Sequence, residues 1–268
     1  MTDLSMLPPP SGEAVRGPAI AVRGLGKRFG DLIAVAGIDL DVPRGSFFGL
    51  VGPNGAGKTT TLSMVTGLLR PDAGTAMVLG HDVWADPVEA KRLLGILPDG
   101  LRIFDRLTGL QLVTYAGLLR GLPRELATKR ATELVRALGL EDAQDKLVVD
   151  YSAGMTKKVT LASALVHGPK VLVLDEPFEA VDPVSATTIR RILADFVSAG
   201  GTVILSSHVM DLVERICSHV AVLARGEVLA TGTVDEVRAG ESLEERFVDL
   251  VGGATEVEGL EWLRTSSD

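Results

Sequence analysis

Gly52-Pro-Asn-Gly-Ala-Gly-Lys58-Thr59-Thr60 has the spacing G-x-x-x-x-G-K-T, which suits a chain of phosphates. The glycines let the backbone curl so that successive N–H groups point inward at anionic oxygens. Gly52, Asn54, Gly55, Ala56 and Gly57 form that cradle, and Thr60 follows it into a helix. The helix N-terminus adds its positive partial charge. Lys58 is placed to reach the β- and γ-phosphates, and Thr59 to offer its hydroxyl to Mg²⁺. A plain glycine-rich turn with an incidental lysine would lack the flanks seen here. The apolar run Ser46–Val51 precedes the loop and the helical pattern Thr60–Thr66 follows it.

A second group of residues completes the chemistry. Val171-Leu-Val-Leu-Asp175-Glu176 is an apolar run ending in two acids. A buried strand that presents acids at its C-terminal end forms the usual ligand edge of an α/β sheet. Asp175 is placed to hold Mg²⁺, directly or through water. Glu176 is placed to activate the attacking water as general base. Tyr151-Ser-Ala-Gly-Met155 opens a further helix, with Ser152 at its N-cap and Gly154 behind it. A helix start with a hydroxyl and a glycine suits phosphate, although a simple helix cap fits the same residues. His208 follows a buried strand behind Ser206-Ser207, within reach of a γ-phosphate. His81, His167 and His219 carry no such context and read as structural. Cys217 reads as a buried, inert thiol.

These groups need an α/β scaffold to position them. Short β-rich runs stand at Ala19–Val22 and Ile38–Val42, ahead of the phosphate-loop strand. The helix after the loop extends to about Leu69, and strands follow at Thr75–Leu79 and Gly95–Leu97. Between about 99 and 166 the pattern is helical, with apolar spacing of three and four over Leu110–Leu119 and Glu125–Leu138. Gly139 is placed to stop the second of these. Strands return at Val171–Leu174, Thr202–Leu205, Val220–Leu223 and Glu227–Leu229, with helices at Val184–Val197 and His208–Ile216 between them. The all-apolar runs suit central parallel strands covered on both faces. Short helical segments from Val234 and over Leu243–Leu250 precede a polar tail.

Bulk properties narrow the function further. The 268 residues are 46% hydrophobic, enough for a substantial core, and carry a net charge of −8. An acidic surface disfavours nonspecific nucleic-acid binding, so no nucleic-acid partner is expected. One cysteine excludes an intrachain disulfide and fits a reducing compartment. No apolar run reaches membrane-spanning length. Residues 1–17, with Pro8-Pro-Pro10 and no basic-then-apolar order, read as a disordered lead-in and not as a secretion signal.

Taken together, these motifs resemble the ATP-binding subunit of ABC transporters, from about Ile20 to Gly232. Gly52–Thr59 looks like that family's Walker A loop, and Asp175-Glu176 like its Walker B acid and catalytic glutamate. Tyr151–Met155 looks like its signature motif, Val181-Asp182 like the end of its D-loop, and His208 like its switch histidine. Phe29 sits where the family places a ring against adenine. The resemblance implies a P-loop NTPase (RecA-like) α/β core with an antiparallel β subdomain and an inserted helical subdomain. It implies an ABC domain over 18–232, the helical part over about 99–166, and a C-terminal extension over 233–268. ATP and Mg²⁺ are the implied ligands. Lys58, Glu176 and His208 are the implied catalytic groups, with Ser152, Gly154 and Asp182 acting across a head-to-tail dimer. The implied partners are membrane-spanning permease subunits and a second ATP-binding subunit, either a copy or a paralogue. The implied location is the cytoplasmic face of a membrane, reached through the permease.

Three positions depart from the family pattern. Asp99 stands where glutamine is usual, so it can contact the metal but cannot donate as an amide does. Ala153 replaces the first signature glycine, which is harmless only at negative φ. Glu179 replaces a serine and adds a negative charge near the dimer seam. The motif Tyr-Ser-x-Gly-Met, the acid at 99, Glu214–Cys217 and Leu243–Phe247 are similar to the drug-, antibiotic- and lipid-exporting ABC-2 group. Two other roles share the motifs: a soluble ABC protein acting on ribosomes or DNA, and an ATP-binding switch with little turnover. The first would need a second such domain or long coiled coils, and the sequence has neither.

Overall fold

Two sheets carry the site in a computed structural model that describes residues 17–100 and 103–252. The lead-in before Gly17 and the tail after Gly252 lie outside the described residues. The first strands are β1 (Ile20–Phe29) and β2 (Leu32–Val42), both longer than the short runs legible in the sequence. They pair antiparallel through register shifts near Leu25 and Lys27, and these irregularities break the alternation that would have marked a long strand. β3 (Phe47–Val51) is wholly buried and feeds the phosphate loop, after which α1 (Lys58–Val65) begins. α1 stops four residues short of Leu69, because Gly67 takes up φ 70°.

β4 (Ala73–Val78) and β5 (His81–Asp82) complete a four-stranded antiparallel sheet of order β2-β1-β4-β5. α2 (Pro87–Leu93) was not read in the sequence; it is short, and its signal is Pro87 directly after Asp86. β6 (Leu94–Leu97) follows as an edge strand. The helical insertion is α3 (Gly109–Leu119), α4 (Arg124–Ala137) and α5 (Ala153–Leu165). Thr108 and Gln111 cap α3 reciprocally, and Gly139 at φ 63° ends the α4 segment as its position predicts.

The core sheet is finished by β7 (Val171–Asp175), β8 (Thr202–Ser207), β9 (His219–Ala224) and β10 (Glu227–Thr233). α6 (Pro183–Ser198) and α7 (Met210–Ile216) connect them; α7 starts two residues after His208 and not at it. The strand order is β10-β9-β3-β8-β7-β6, parallel from β9 to β6, with β10 antiparallel at one edge. β3, β7 and β8 are interior strands and are buried along their whole length, as uniformly apolar parallel strands require. Phe48, Leu50, Val173 and Ile204 face a core shared with the antiparallel sheet and α1. Phe47, Val51, Leu172 and Leu205 face a second core shared with the helical insertion, α6 and α7. α8 (Val234–Arg238) and α9 (Leu243–Val251) pack on α7, where Glu214 accepts from the Leu243 N–H at 3.0 Å and pairs with Arg238 at 3.2 Å. Among the described residues no helix is long and apolar enough to cross a membrane.

Candidate functional site

The C-terminal ends of β3, β7 and β8 lie side by side, because β3 pairs with β8 and β8 with β7 in parallel register. That register sets Val51 beside Ser207 and Asp175 beside Ser206. Every loop leaving this edge therefore opens into one crevice. The crevice has a volume of about 540 Å³ and is walled by Phe29, Asn54, Gly55, Ala56, Gly57, Lys58, Thr59 and Thr60 on one side. Asp99, Glu176, Glu179 and His208 face them.

The loop holds its shape through close backbone contacts. A Cβ on Gly57 would lie 2.5 Å from the Ala34 carbonyl oxygen, at φ 102°, so only glycine fits. A Cβ on Gly52 would lie 2.2 Å from the Leu223 oxygen. Lys58 Nζ donates to the carbonyls of Gly52 (2.8 Å) and Pro53 (3.3 Å) and is only 7% exposed. Burial lowers its pKa from the ordinary lysine value, with the charges of Glu176 and Asp175 opposing that shift. A buried ammonium held by two carbonyls and one carboxylate is poised to donate to anionic oxygens.

Opposite the loop, Ser206 is the hinge pin of the acidic pair. Its Oγ donates to Asp175 Oδ1 and accepts the Glu176 N–H at 2.9 Å. Asp175 is 3% exposed at the strand end, while Glu176 turns out of the strand at φ 45°. A left-handed glutamate costs on the order of 1–2 kcal/mol, a strain found where a side chain must be aimed. The turn brings Glu176 Oε1 to 3.1 Å from His208 Nδ1 and 3.9 Å from Lys58 Nζ. His208 is half exposed and Glu176 is not, so the pair spans from solvent to the loop.

Phe29 is 48% exposed on the crevice wall, with Lys27 Nζ 5.6 Å from its ring centroid. Asp99 lines the crevice too, but its carboxylate faces Lys157 of α5 at 3.5 Å. Glu179, which the resemblance sets near a dimer seam, also lines this chain's own crevice. Sequence reasoning missed Leu32, Ala34 and Pro53 in the wall, since apolar and backbone linings leave no motif.

Ser152, Gly154 and Asp182 do not line the crevice. Ser152 caps α5 through the Met155 N–H at 3.3 Å, and Asp182 caps α6 through Val184 and Ser185, both at 3.0 Å. A Cβ on Gly154 would come within 3.0 Å of the Ala180 oxygen, so the start of α5 packs on the turn after Glu176. Ala153 is the first residue of α5, directly after the Ser152 cap, and its φ is not positive. The departure from glycine at 153 therefore carries no backbone strain. The thiol of Cys217 is buried and pushed up to about 12 by that burial, which makes it inert.

A strand–glycine loop–helix with a carboxylate pair at the end of β7, two strands away from β3, defines a P-loop nucleotide-binding domain. Residues 35–179 match the family model described as ABC transporter, which is more than half of the chain. The chain belongs to the ABC transporter family. It is 39% identical over 221 residues to the daunorubicin/doxorubicin resistance ATP-binding protein DrrA of Streptomyces peucetius, covering 82% of this chain and 67% of that one. It is 37% identical over 208 residues to the linearmycin resistance ATP-binding protein LnrL of Bacillus subtilis, covering 77% of this chain and 67% of that one. Among solved structures, an ATP-binding subunit of an ABC transporter superposes with a TM-score of 0.81 at 28% identity, covering 87% of this chain and 99% of that chain.

Proposed function

We propose that the chain is the ATP-hydrolysing subunit of a membrane ABC exporter and works as a head-to-tail dimer. One observation carries the reading: Lys58 and His208 converge on a single oxygen of Glu176 at the mouth of the phosphate loop. That arrangement places a cation for the phosphates, a base for water and a proton-bearing ring in one crevice. The names of the similar resistance proteins support export. The cargo would be set by the membrane subunits.

In this reading the loop N–H groups and Lys58 hold the β- and γ-phosphates of ATP, and Phe29 stacks on the base. Glu176 accepts a proton from the water that attacks the γ-phosphorus, and the bond to the β–γ bridging oxygen breaks to release ADP. His208 donates through Nδ1–H to Glu176 and keeps its carboxylate aimed at the γ-phosphate side. Ser152 and Asp182 cap helices away from this crevice and Gly154 lies in the first turn of α5, which suits a role in closing the partner's crevice.

Mg²⁺ fits the residues present. Among the described residues no three acidic, histidine or cysteine side chains gather into a metal cage. Thr59 on the crevice wall offers a hydroxyl and Asp175 at the end of β7 a carboxylate, the sparse set that Mg²⁺ accepts when phosphate oxygens and water complete its shell. When bound, the ion would neutralise charge on the phosphates. The proposed domain limits are an ABC domain over 18–232 and a C-terminal extension over 233–268, whose helices α8 and α9 pack on α7. The chain would sit at the cytoplasmic face of a membrane, held there by permease subunits.

The test is Glu176→Gln. ATP-Mg should still bind, hydrolysis should fall about 10²–10⁴-fold, and the variant should accumulate as a dimer on a sizing column. Full turnover in the variant would remove Glu176 as base. A variant that stays monomeric with saturating ATP-Mg would remove the homodimer.

A further inference from the structure

We propose that Lys157 is a positioning residue for the nucleotide crevice, acting through Asp99. The inference rests on the reading that the crevice binds ATP. Asp99 is one of three carboxylates on the crevice wall, with Glu176 and Glu179. Unopposed, each repels a polyphosphate. Glu176 already faces Lys58 and His208. Asp99 faces a different cation, Lys157 Nζ, at 3.5 Å.

Two features make this pair more than a surface contact. The Lys157 side chain is only 14% exposed while Asp99 is 46% exposed, so the ammonium is shielded and the carboxylate reaches the crevice. An ion pair with one shielded member is screened less than a surface pair. Lys157 also lies in the second turn of α5, the helix that Ser152 caps. Its neighbour Lys158 donates to Ser185 Oγ of α6 at 3.3 Å. Consecutive lysines thus tie one helix to the loop after β6 and to the helix after the Glu176 turn. Lys157 thereby cancels a carboxylate that would face the phosphates and fixes its loop to the helix carrying Ser152 and Gly154.

The test is a charge cycle on the full chain, read by titration with fluorescent ATP, with and without Mg²⁺, and with thermal melts as folding controls. Lys157→Met should weaken ATP-Mg binding about five- to tenfold, and weaken metal-free ATP, which is more highly charged, by more. Lys157→Arg should bind as the wild type does. Asp99→Asn combined with Lys157→Met should return binding to within about twofold of wild type, because the unopposed carboxylate is gone. The proposal is overturned if Lys157→Met binds normally, or if the loss persists in the Asp99→Asn background, which would mark a purely structural lysine. A wild type that binds no ATP would instead overturn the functional reading beneath it.

Discussion

Protonating His167 should destabilise the protein, and the size of the effect follows from its surroundings. Nε2 lies 3.0 Å from the Leu94 carbonyl, so Nε2 carries the hydrogen and donates. Nδ1 is buried with no partner among the described residues. A second proton would sit on that nitrogen with nothing to accept it. Burial first, and then the positive charge of Arg120, lower the pKa from 6.5 to about 4; the bond to Leu94 opposes the shift and Arg130 adds to it. In the unfolded chain the ring titrates near 6.5. Between these values the unfolded state binds the extra proton, so stability is intact above pH 6.5 and is lost as pH falls toward 4. Full shielding would make the loss between pH 7 and pH 5 about 2 kcal/mol; partial exposure of the ring reduces this to roughly 1–1.5 kcal/mol. The assay is urea unfolding of wild type and His167→Gln at both pH values. Glutamine keeps a donor for Leu94 and cannot titrate. The wild type should lose about 1–1.5 kcal/mol more than the variant on acidification. Equal losses would mean that the ring is protonated as easily folded as unfolded, and that burial does not hold its pKa down.

Two further substitutions probe the crevice. Ser206→Ala removes the link between Asp175 and the Glu176 N–H. It should cost about 1–3 kcal/mol of stability and lower kcat roughly tenfold or more by loosening the aim of Glu176, with ATP affinity little changed; denaturation and steady-state ATPase check both. Gly57→Ala forces a side chain into the left-handed region and against the Ala34 carbonyl. It should weaken ATP binding by more than about tenfold, since the left-handed penalty alone is of order 1–2 kcal/mol; an unchanged Kd by nucleotide titration would show that the loop relaxes freely.

The sequence made the core sheet and the phosphate loop legible because both rest on local rules. Uniform apolar runs at Val171–Leu174 and Val203–Leu205 mark covered strands, and the fold places them inside the sheet. The helix cap at Ser152 is likewise a local side-chain-to-backbone bond. Features set by distant contacts were not legible. β1 and β2 look short in sequence because their register shifts interrupt alternation. The partner of Asp99 stands on a helix 58 residues later, so nothing near Asp99 signals Lys157. The positive φ of Glu176 is similarly invisible, since a glutamate in the left-handed region is imposed by its setting and not by its own preference.

ATP hydrolysis in this crevice is proposed to power a membrane partner. We would trap the closed state with tagged Glu176→Gln in its own host, solubilise in detergent with ATP-Mg, and identify what co-purifies. A polytopic membrane protein should be retained with ATP-Mg and reduced without it. Recovery of ribosomes, DNA or soluble partners alone would contradict it.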